Sequence, residues 1–159
     1  MERFFKRHLP KPQPKFVLIA GLGAAIAIGI LAIAGDLTKI GLLVAPFGAS
    51  CVLLFAAPAA PFSQPINVVA GHFVSALIGL AVFIFVPFGL LTGALAVGLA
   101  VAAMMALRVT HPPAGATALV AGAAASWVFL IFPVLMGSLA LVLIALAYHR
   151  FSGNIYPTK

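Results

Sequence analysis

The stretch His111-Pro112-Pro113-Ala114-Gly115-Ala116-Thr117 decides how the chain is read, because it interrupts a sequence that is otherwise almost all apolar. Arg108 precedes it, and a short apolar run follows. A histidine, two prolines and a glycine do not continue a membrane helix, since proline removes a backbone N–H and collides with the preceding turn. An earlier stretch, Ala45-Pro46-Phe47-Gly48-Ala49-Ser50, has the same form, and both contain Pro-x-Gly-Ala-(Ser/Thr). Sliding Pro113 onto Pro46 puts Gly115 on Gly48, Ala116 on Ala49, Thr117 on Ser50 and Leu119 on Val52. The two stretches read as equivalent parts of two half-chains, with the working site where they come together.

Only 7% of the 159 residues are charged and 64% are hydrophobic, whereas soluble chains carry about 25% charged residues. This is one membrane domain rather than a soluble one. The net charge of +7 is uneven. Arg3, Lys6, Arg7, Lys11 and Lys15 oppose Glu2 in residues 1–15, and Arg150 and Lys159 lie in the tail. Between them stand only Lys39, Arg108 and Asp36. Positive charge on membrane flanks follows the positive-inside rule and places both termini in the cytoplasm. It does not form a folded basic face, so no nucleic-acid partner is expected. The single Cys51 excludes an intramolecular disulfide and a cysteine zinc site, and reads as a small packing residue.

Residues 1–15, with Pro10, Pro12 and Pro14, form a basic cytoplasmic lead-in. The apolar run 16–35 is long enough for a spanning helix of about 20 residues. Its Ala32-Ile33-Ala34 has the form of a signal-peptidase site, but the run exceeds a signal core of roughly 7–15 residues. It also has a counterpart in the second half, so it is expected to stay in the mature protein. Further full spans are expected over 66–86, 90–107 and 127–148, with Trp127 and Tyr148 as interface anchors. A tight turn is expected at Pro87-Phe88-Gly89, and a polar basic tail over 149–159.

The expected fold is an all-α polytopic membrane protein within residues 16–148. It has four full transmembrane helices plus two short Pro-broken half-helices, in two pseudo-symmetric repeats of about 16–86 and 90–148. Broken helices in a two-fold repeat are a common transporter build. An inverted arrangement of three segments each makes Arg108 cytoplasmic and lets the short helices meet tip to tip. Re-entrant segments in parallel repeats are the alternative.

A helix that starts inside the membrane leaves its first N–H groups in need of a partner. Pro46 and Pro113 suit the first helical position. The N–H groups of Phe47, Gly48 and Ala49, and of Ala114, Gly115 and Ala116, would then be donors, with Ser50 and Thr117 adding hydroxyls. Each helix start carries roughly half a positive charge, so two together suit one monovalent anion. No carboxylate lies in the spans for a cation or an acidic proton relay.

Single residues keep two readings. Arg108 is an interface anchor or a substrate contact. His111 hydrogen-bonds the broken backbone, or takes part in substrate binding or gating. His72, within an apolar span, must face protein or water and is a candidate for the pathway. Asn67 reads as a helix cap, Gln64 as a partner for loop backbone, and Gly89/Gly93 as a helix-packing pair. His8 and His149 are expected in solvated tails.

Three of these stretches together resemble the HPP family of integral membrane proteins. They are Ala45 to Ser50, Gln64-Pro65 leading to Asn67 and Gly71-His72, and Arg108 to Thr117 with His111-Pro112-Pro113. With the flanking spans the resemblance covers nearly the whole chain. The family is described with four transmembrane helices, and its plant-plastid and cyanobacterial members are associated with nitrite transport. The resemblance therefore implies a small-anion transporter with nitrite as the leading substrate. The short basic lead-in does not argue for a plastid transit peptide, which favours a bacterial-type inner membrane.

The leading expectation is thus a passive or proton-coupled transporter or channel for a small monovalent anion, with His72 or His111 able to carry a proton. A non-transporting scaffold or sensor subunit and a pore for a small neutral solute are the competing readings. No catalytic residues, metal site or cofactor are expected, because no HExxH, carboxylate pair or activated nucleophile is present. A chain this short is expected to form a homodimer or higher oligomer within the lipid bilayer.

Overall fold

The computed structural model describes residues 1–87 and 89–158. Phe88, in the expected turn, and Lys159 of the tail lie outside the described residues. Among the described residues, a single helical turn at Glu2–Phe5 and a short 3-10 turn at Pro61–Ser63 accompany six helices: α1 Pro14–Thr38, α2 Ala45–Ala56, α3 Pro65–Phe85, α4 Thr92–Ala106, α5 Ala114–Ala124 and α6 Leu130–Ser152. No strand occurs among the described residues.

Helices α1, α3 and α6 are long and apolar enough to cross a membrane, while α2, α4 and α5 are shorter apolar helices. α4, expected as a full span over 90–107, has 15 residues, or about 22 Å against a hydrocarbon core of about 30 Å. Local chemistry sets the boundaries. α1 begins at Pro14, whose missing N–H is no loss in a first turn. It ends at Lys39, which takes a left-handed conformation with φ 57°. α6 starts later than its expected Trp127 because Ala125 is also left-handed, with φ 47°, and closes α5. Near the start of α6, Phe132 is extended rather than helical (φ −126°, ψ 117°), as the residue before a proline prefers.

Contacts give the helices their directions. Along α3, Gly71 lies against His111, Ser75 Oγ donates to the Ala114 carbonyl, Gly79 lies against Ala118, and the Phe83 ring lies against Gly122. α3 and α5 therefore run parallel. A Cβ at Gly79 would collide with the Ala118 carbonyl oxygen. Only glycine permits this backbone approach. Tyr148 near the end of α6 donates to the Ile19 carbonyl near the start of α1 at 2.8 Å. The start of α1 and the end of α6 thus share one face of the molecule.

That face also holds the end of α2. His149 lies in α6, which runs on through Ser152, and the ring is 1% exposed. Its Nε2–H donates to the Leu54 carbonyl at 2.8 Å, so the expected solvated tail histidine is a buried packing group. The chain beyond α6 folds back over the loop before α3. Tyr156 Oη donates to the Ser63 carbonyl at 2.9 Å and the Thr158 N–H to Gln64 Oε1 at 3.0 Å. Burial raises the Tyr156 pKa above the ordinary tyrosine value, so the hydroxyl keeps the proton it donates.

Phe47, Leu54 and Phe55 of α2 form the main core with Ala27 and Leu31 of α1 and Leu141 and Ala145 of α6. Large apolar side chains such as Leu18, Ile33 and Leu143 remain exposed on the outside. Such a surface suits lipid tails rather than water.

Candidate functional site

Helical geometry decides which residues of the two broken helices turn inward. In α2, Phe47, Ser50, Cys51 and Leu54 are buried, a spacing of three and four residues that marks one helix face. Gly48 and Ala49 fall on the opposite face and are exposed. Gly48 lines an outer apolar groove of about 650 Å³ together with Phe16, Ala20, Cys51 and Val52. In α5, Ala114, Thr117, Ala118 and Ala121 are buried, Gly115 is half-buried and Ala116 is exposed.

The inward faces converge on His72. Ser50 Oγ lies 2.8 Å from His72 Nε2 and 2.9 Å from His111 Nε2. Thr117 Oγ1 lies 2.8 Å from His72 Nδ1. His111 Nδ1 lies 2.7 Å from the Phe62 carbonyl oxygen. Ser50, His72, His111 and Thr117 are each 0% exposed. The edge of one ring meets the face of the next, with centroids 5.1 Å apart for Phe47 and His72 and 5.0 Å for His72 and His111. The two residues that align in the sequence repeat thus occupy the two nitrogens of one histidine.

With both rings neutral, one proton arrangement satisfies all four bonds. The Phe62 carbonyl only accepts, so His111 carries its proton on Nδ1 and offers Nε2 as an acceptor. Ser50 has one hydroxyl proton and gives it to His111 Nε2. His72 must then donate Nε2–H to Ser50 Oγ, and Thr117 must donate to His72 Nδ1. The result is a directed chain from Thr117 through His72, Ser50 and His111 to Phe62. Ser50 Oγ also lies 3.3 Å from the Pro46 carbonyl, a longer alternative acceptor.

The backbone around the chain is closely held. A Cβ at Gly71 would come within 2.8 Å of His111 Cβ and 2.9 Å of the Val109 carbonyl, so glycine there lets the His111 segment lie against α3. Asn67 Nδ2 donates to the Thr110 carbonyl at 3.0 Å, which ties that segment down rather than capping α3. Gln64 Nε2 donates to the Pro58 and Ala60 carbonyls at 3.0 Å, as expected of a loop partner.

The helix starts differ from the expected open donors. The Phe47 N–H donates to Val44 at 2.9 Å, Ala114 to His111 at 2.9 Å, Gly115 to Pro112 at 3.1 Å and Ala116 to Pro113 at 3.3 Å. Tight first turns close these groups on their own preceding carbonyls. The positions of the prolines explain part of this: Pro46 is the second residue of α2, and Pro113 is the N-cap of α5. Pro112 is exposed. The donors at the centre are therefore side chains. Arg108 is exposed, in a left-handed conformation with φ 60° that ends α4, and is not among the residues gathered around His72.

Residues that sequence reasoning did not assign to the site are Phe62, through its carbonyl, and Gly71, Ser75 and Asn67. The four-residue spacing of Gly71, Ser75 and Gly79 is the signal that marks the packing face of α3. Among the described residues no group of three or more His, Cys, Asp or Glu could hold a metal ion. Lys39 and Asp36 form an ion pair at 3.0 Å, exposed at the end of α1.

A family model described as "HPP, transmembrane region" matches residues 9–157. Two curated transmembrane proteins of Dictyostelium discoideum are similar over 119 residues. One is 35% identical, with 69% of this chain and 42% of the relative covered. The other is 38% identical, with 69% of this chain and 38% of the relative covered. The chain thus spans about two-fifths of the length of these relatives. No solved structure matches it significantly.

Proposed function

The chain belongs to the HPP family of transmembrane proteins, and from that premise we propose that it moves a small monovalent anion across a membrane, with nitrite the leading candidate. The observation that carries this reading is the convergence of Ser50 from α2 and Thr117 from α5 on the buried His72. Two helices that begin within the protein place their first two turns beside one polar centre. Each start contributes roughly half a positive charge. The donors offered to an anion are hydroxyl and imidazole groups rather than the backbone N–H groups expected from the sequence. With Asp36 exposed and paired to Lys39, no carboxylate at the centre opposes an anion.

The helix directions support two inverted repeats, α1–α3 and α4–α6. α2 runs toward the face that holds the termini, α5 runs away from it, and their starts meet near His72. In this reading α4 is the fourth full span, and its short length is met by local thinning of the bilayer and by Arg108 reaching the interface. Both termini lie in the cytoplasm of a bacterial-type inner membrane, the protein is a transporter rather than an enzyme, and it assembles as a homodimer or higher oligomer. His72 and His111 carry a proton with the anion.

A second reading, a pore for a small neutral solute, is favoured by the absence of charged side chains from the gathered centre. Uptake by purified protein in liposomes separates the two. Nitrite would be compared with nitrate, formate, bicarbonate, chloride and a small neutral amide. Saturable nitrite uptake is expected. If folded, oriented protein moves the amide and no anion, the neutral-solute reading replaces this one.

A further inference from the structure

We infer that the Thr117–His72–Ser50–His111 chain accepts protons from its Thr117 end only, and that each proton stored there readies Thr117 to receive one anion. This rests on the anion reading above, and it fixes the coupling as one proton per anion, with no net charge moved.

The two ends of the chain are chemically unequal. At one end the Phe62 carbonyl accepts a hydrogen bond from His111 Nδ1 at 2.7 Å, and an amide carbonyl does not relay a proton. At the other end the Thr117 hydroxyl can both take and release one. An incoming proton bonds to Thr117 Oγ1 while the proton already there moves to His72 Nδ1. His72 releases its Nε2 proton to Ser50 Oγ, and Ser50 releases its own to His111 Nε2. One proton has been added, His111 has become an imidazolium, and no oxidation or reduction occurs. His72 is again neutral, but with its proton on Nδ1 instead of Nε2.

This exchange reverses the bond between His72 and Thr117. Before it, Thr117 donates to His72; afterwards His72 Nδ1–H donates to Thr117, whose hydroxyl proton is free for a new acceptor. Thr117, itself 0% exposed, lies in the first turns of α5, one and two residues from the exposed Ala116 and the half-buried Gly115. A charged chain therefore offers an anion both a donor and a buried positive charge, and an uncharged chain offers neither. Burying either charge without the other costs far more than burying the pair.

The groups facing the two rings offer the proton no resting place outside the two histidines. α2 presents Phe47 and Ser50, α5 presents Thr117, the loop before α3 presents the Phe62 carbonyl, and α3 presents Gly71 to His111. The titratable partner of each histidine is the other histidine. Ser50 is a positioning and relay residue whose role requires it to donate and accept at once.

Two readouts test this separately from the anion reading. Nitrogen-15 NMR of histidine-labelled protein is expected to show His72 protonated on Nε2 at high pH and on Nδ1 once His111 is charged. A His72 tautomer that stays the same while His111 titrates would overturn the relay, whatever the protein transports. In liposomes, nitrite uptake is expected to follow an imposed pH gradient with one proton per nitrite, and to ignore an imposed membrane potential. Nitrite uptake driven by the potential alone would overturn the coupling while leaving nitrite transport intact. Thr117→Val is expected to lower pH-driven uptake by about tenfold or more, and Thr117→Ser to restore it, because the hydroxyl carries a charge-assisted bond. Equal loss in both variants, with both folded, would overturn the role of the hydroxyl.

Discussion

The two broken helices carry the same short motif and use it differently. α2 wedges its Ser50 between two histidines, and its Phe47 and Leu54 belong to the main core with α1 and α6. α5 brings Thr117 to the end of the same chain, and lies along α3 over Ser75 and Gly79. α2 is held by large side chains and α5 by close backbone approach. One hydroxyl sits in the middle of a hydrogen-bond chain, and its sequence counterpart sits at the end. A repeated motif thus supplies two roles because the partners around each copy differ.

The backbone contact that seats α5 is the most exposed part of this contrast. Gly79→Ala places a Cβ against the Ala118 backbone, which cannot rotate away. It is expected to destabilise the fold by about 3 kcal/mol, near the top of the overpacking range. Thermal unfolding in detergent checks this, and an unchanged midpoint would mean that α5 is not held in this way. The two hydroxyls come next. Ser50→Ala strands both the His72 Nε2–H and the His111 Nε2 lone pair, at a cost of about 2–3 kcal/mol. Thr117→Val strands only the His72 Nδ1 lone pair, at about 1–2 kcal/mol. The inequality is the sharper test: equal losses in chemical unfolding would remove the distinction between the middle and the end of the chain.

Tyr156→Phe should cost about 1 kcal/mol, since it removes the bond to the Ser63 carbonyl beside Phe62. Faster hydrogen exchange at residues 61–64 is its expected signature. Smallest of all are Gly48→Ala and Gly115→Ala, where an added Cβ meets nothing within 4 Å. Each should change stability by less than about 0.5 kcal/mol. A large loss at Gly48 would reveal a close neighbour on its outer face, such as a second copy of the chain.

Much of this arrangement is legible in the sequence, because proline and glycine punctuate membrane helices in ways few other residues do. The breaks at Pro46 and Pro113, and the choice of Ser50, His72, His111 and Thr117 as candidate site residues, follow from residue type and position. What is not legible depends on partners far along the chain. His149 is buried because residues 153–158 fold back over the loop at Ser63 and Gln64, and nothing in its own neighbourhood announces that. Phe62 contributes a carbonyl, which every residue has. Closure of the helix-start N–H groups depends on the exact turn after Val44 and His111, which composition does not specify. The outward placement of Gly48, Ala49 and Ala116 was within reach of helical periodicity, since they fall off the faces marked by Phe47, Ser50 and Leu54 and by Ala114, Thr117 and Ala121.

The most direct test of the meeting of α2 and α5 at His72 is the initial rate of nitrite uptake by His72→Gln protein in liposomes, beside the unaltered chain. Both preparations must give the same oligomer size and helix content. Glutamine keeps a polar side chain but cannot take a proton from Thr117 and pass one to Ser50. pH-driven uptake is expected to fall by about a hundredfold, as when a positioned proton-transfer group is lost. Uptake at the original rate, with the same response to pH, would contradict it.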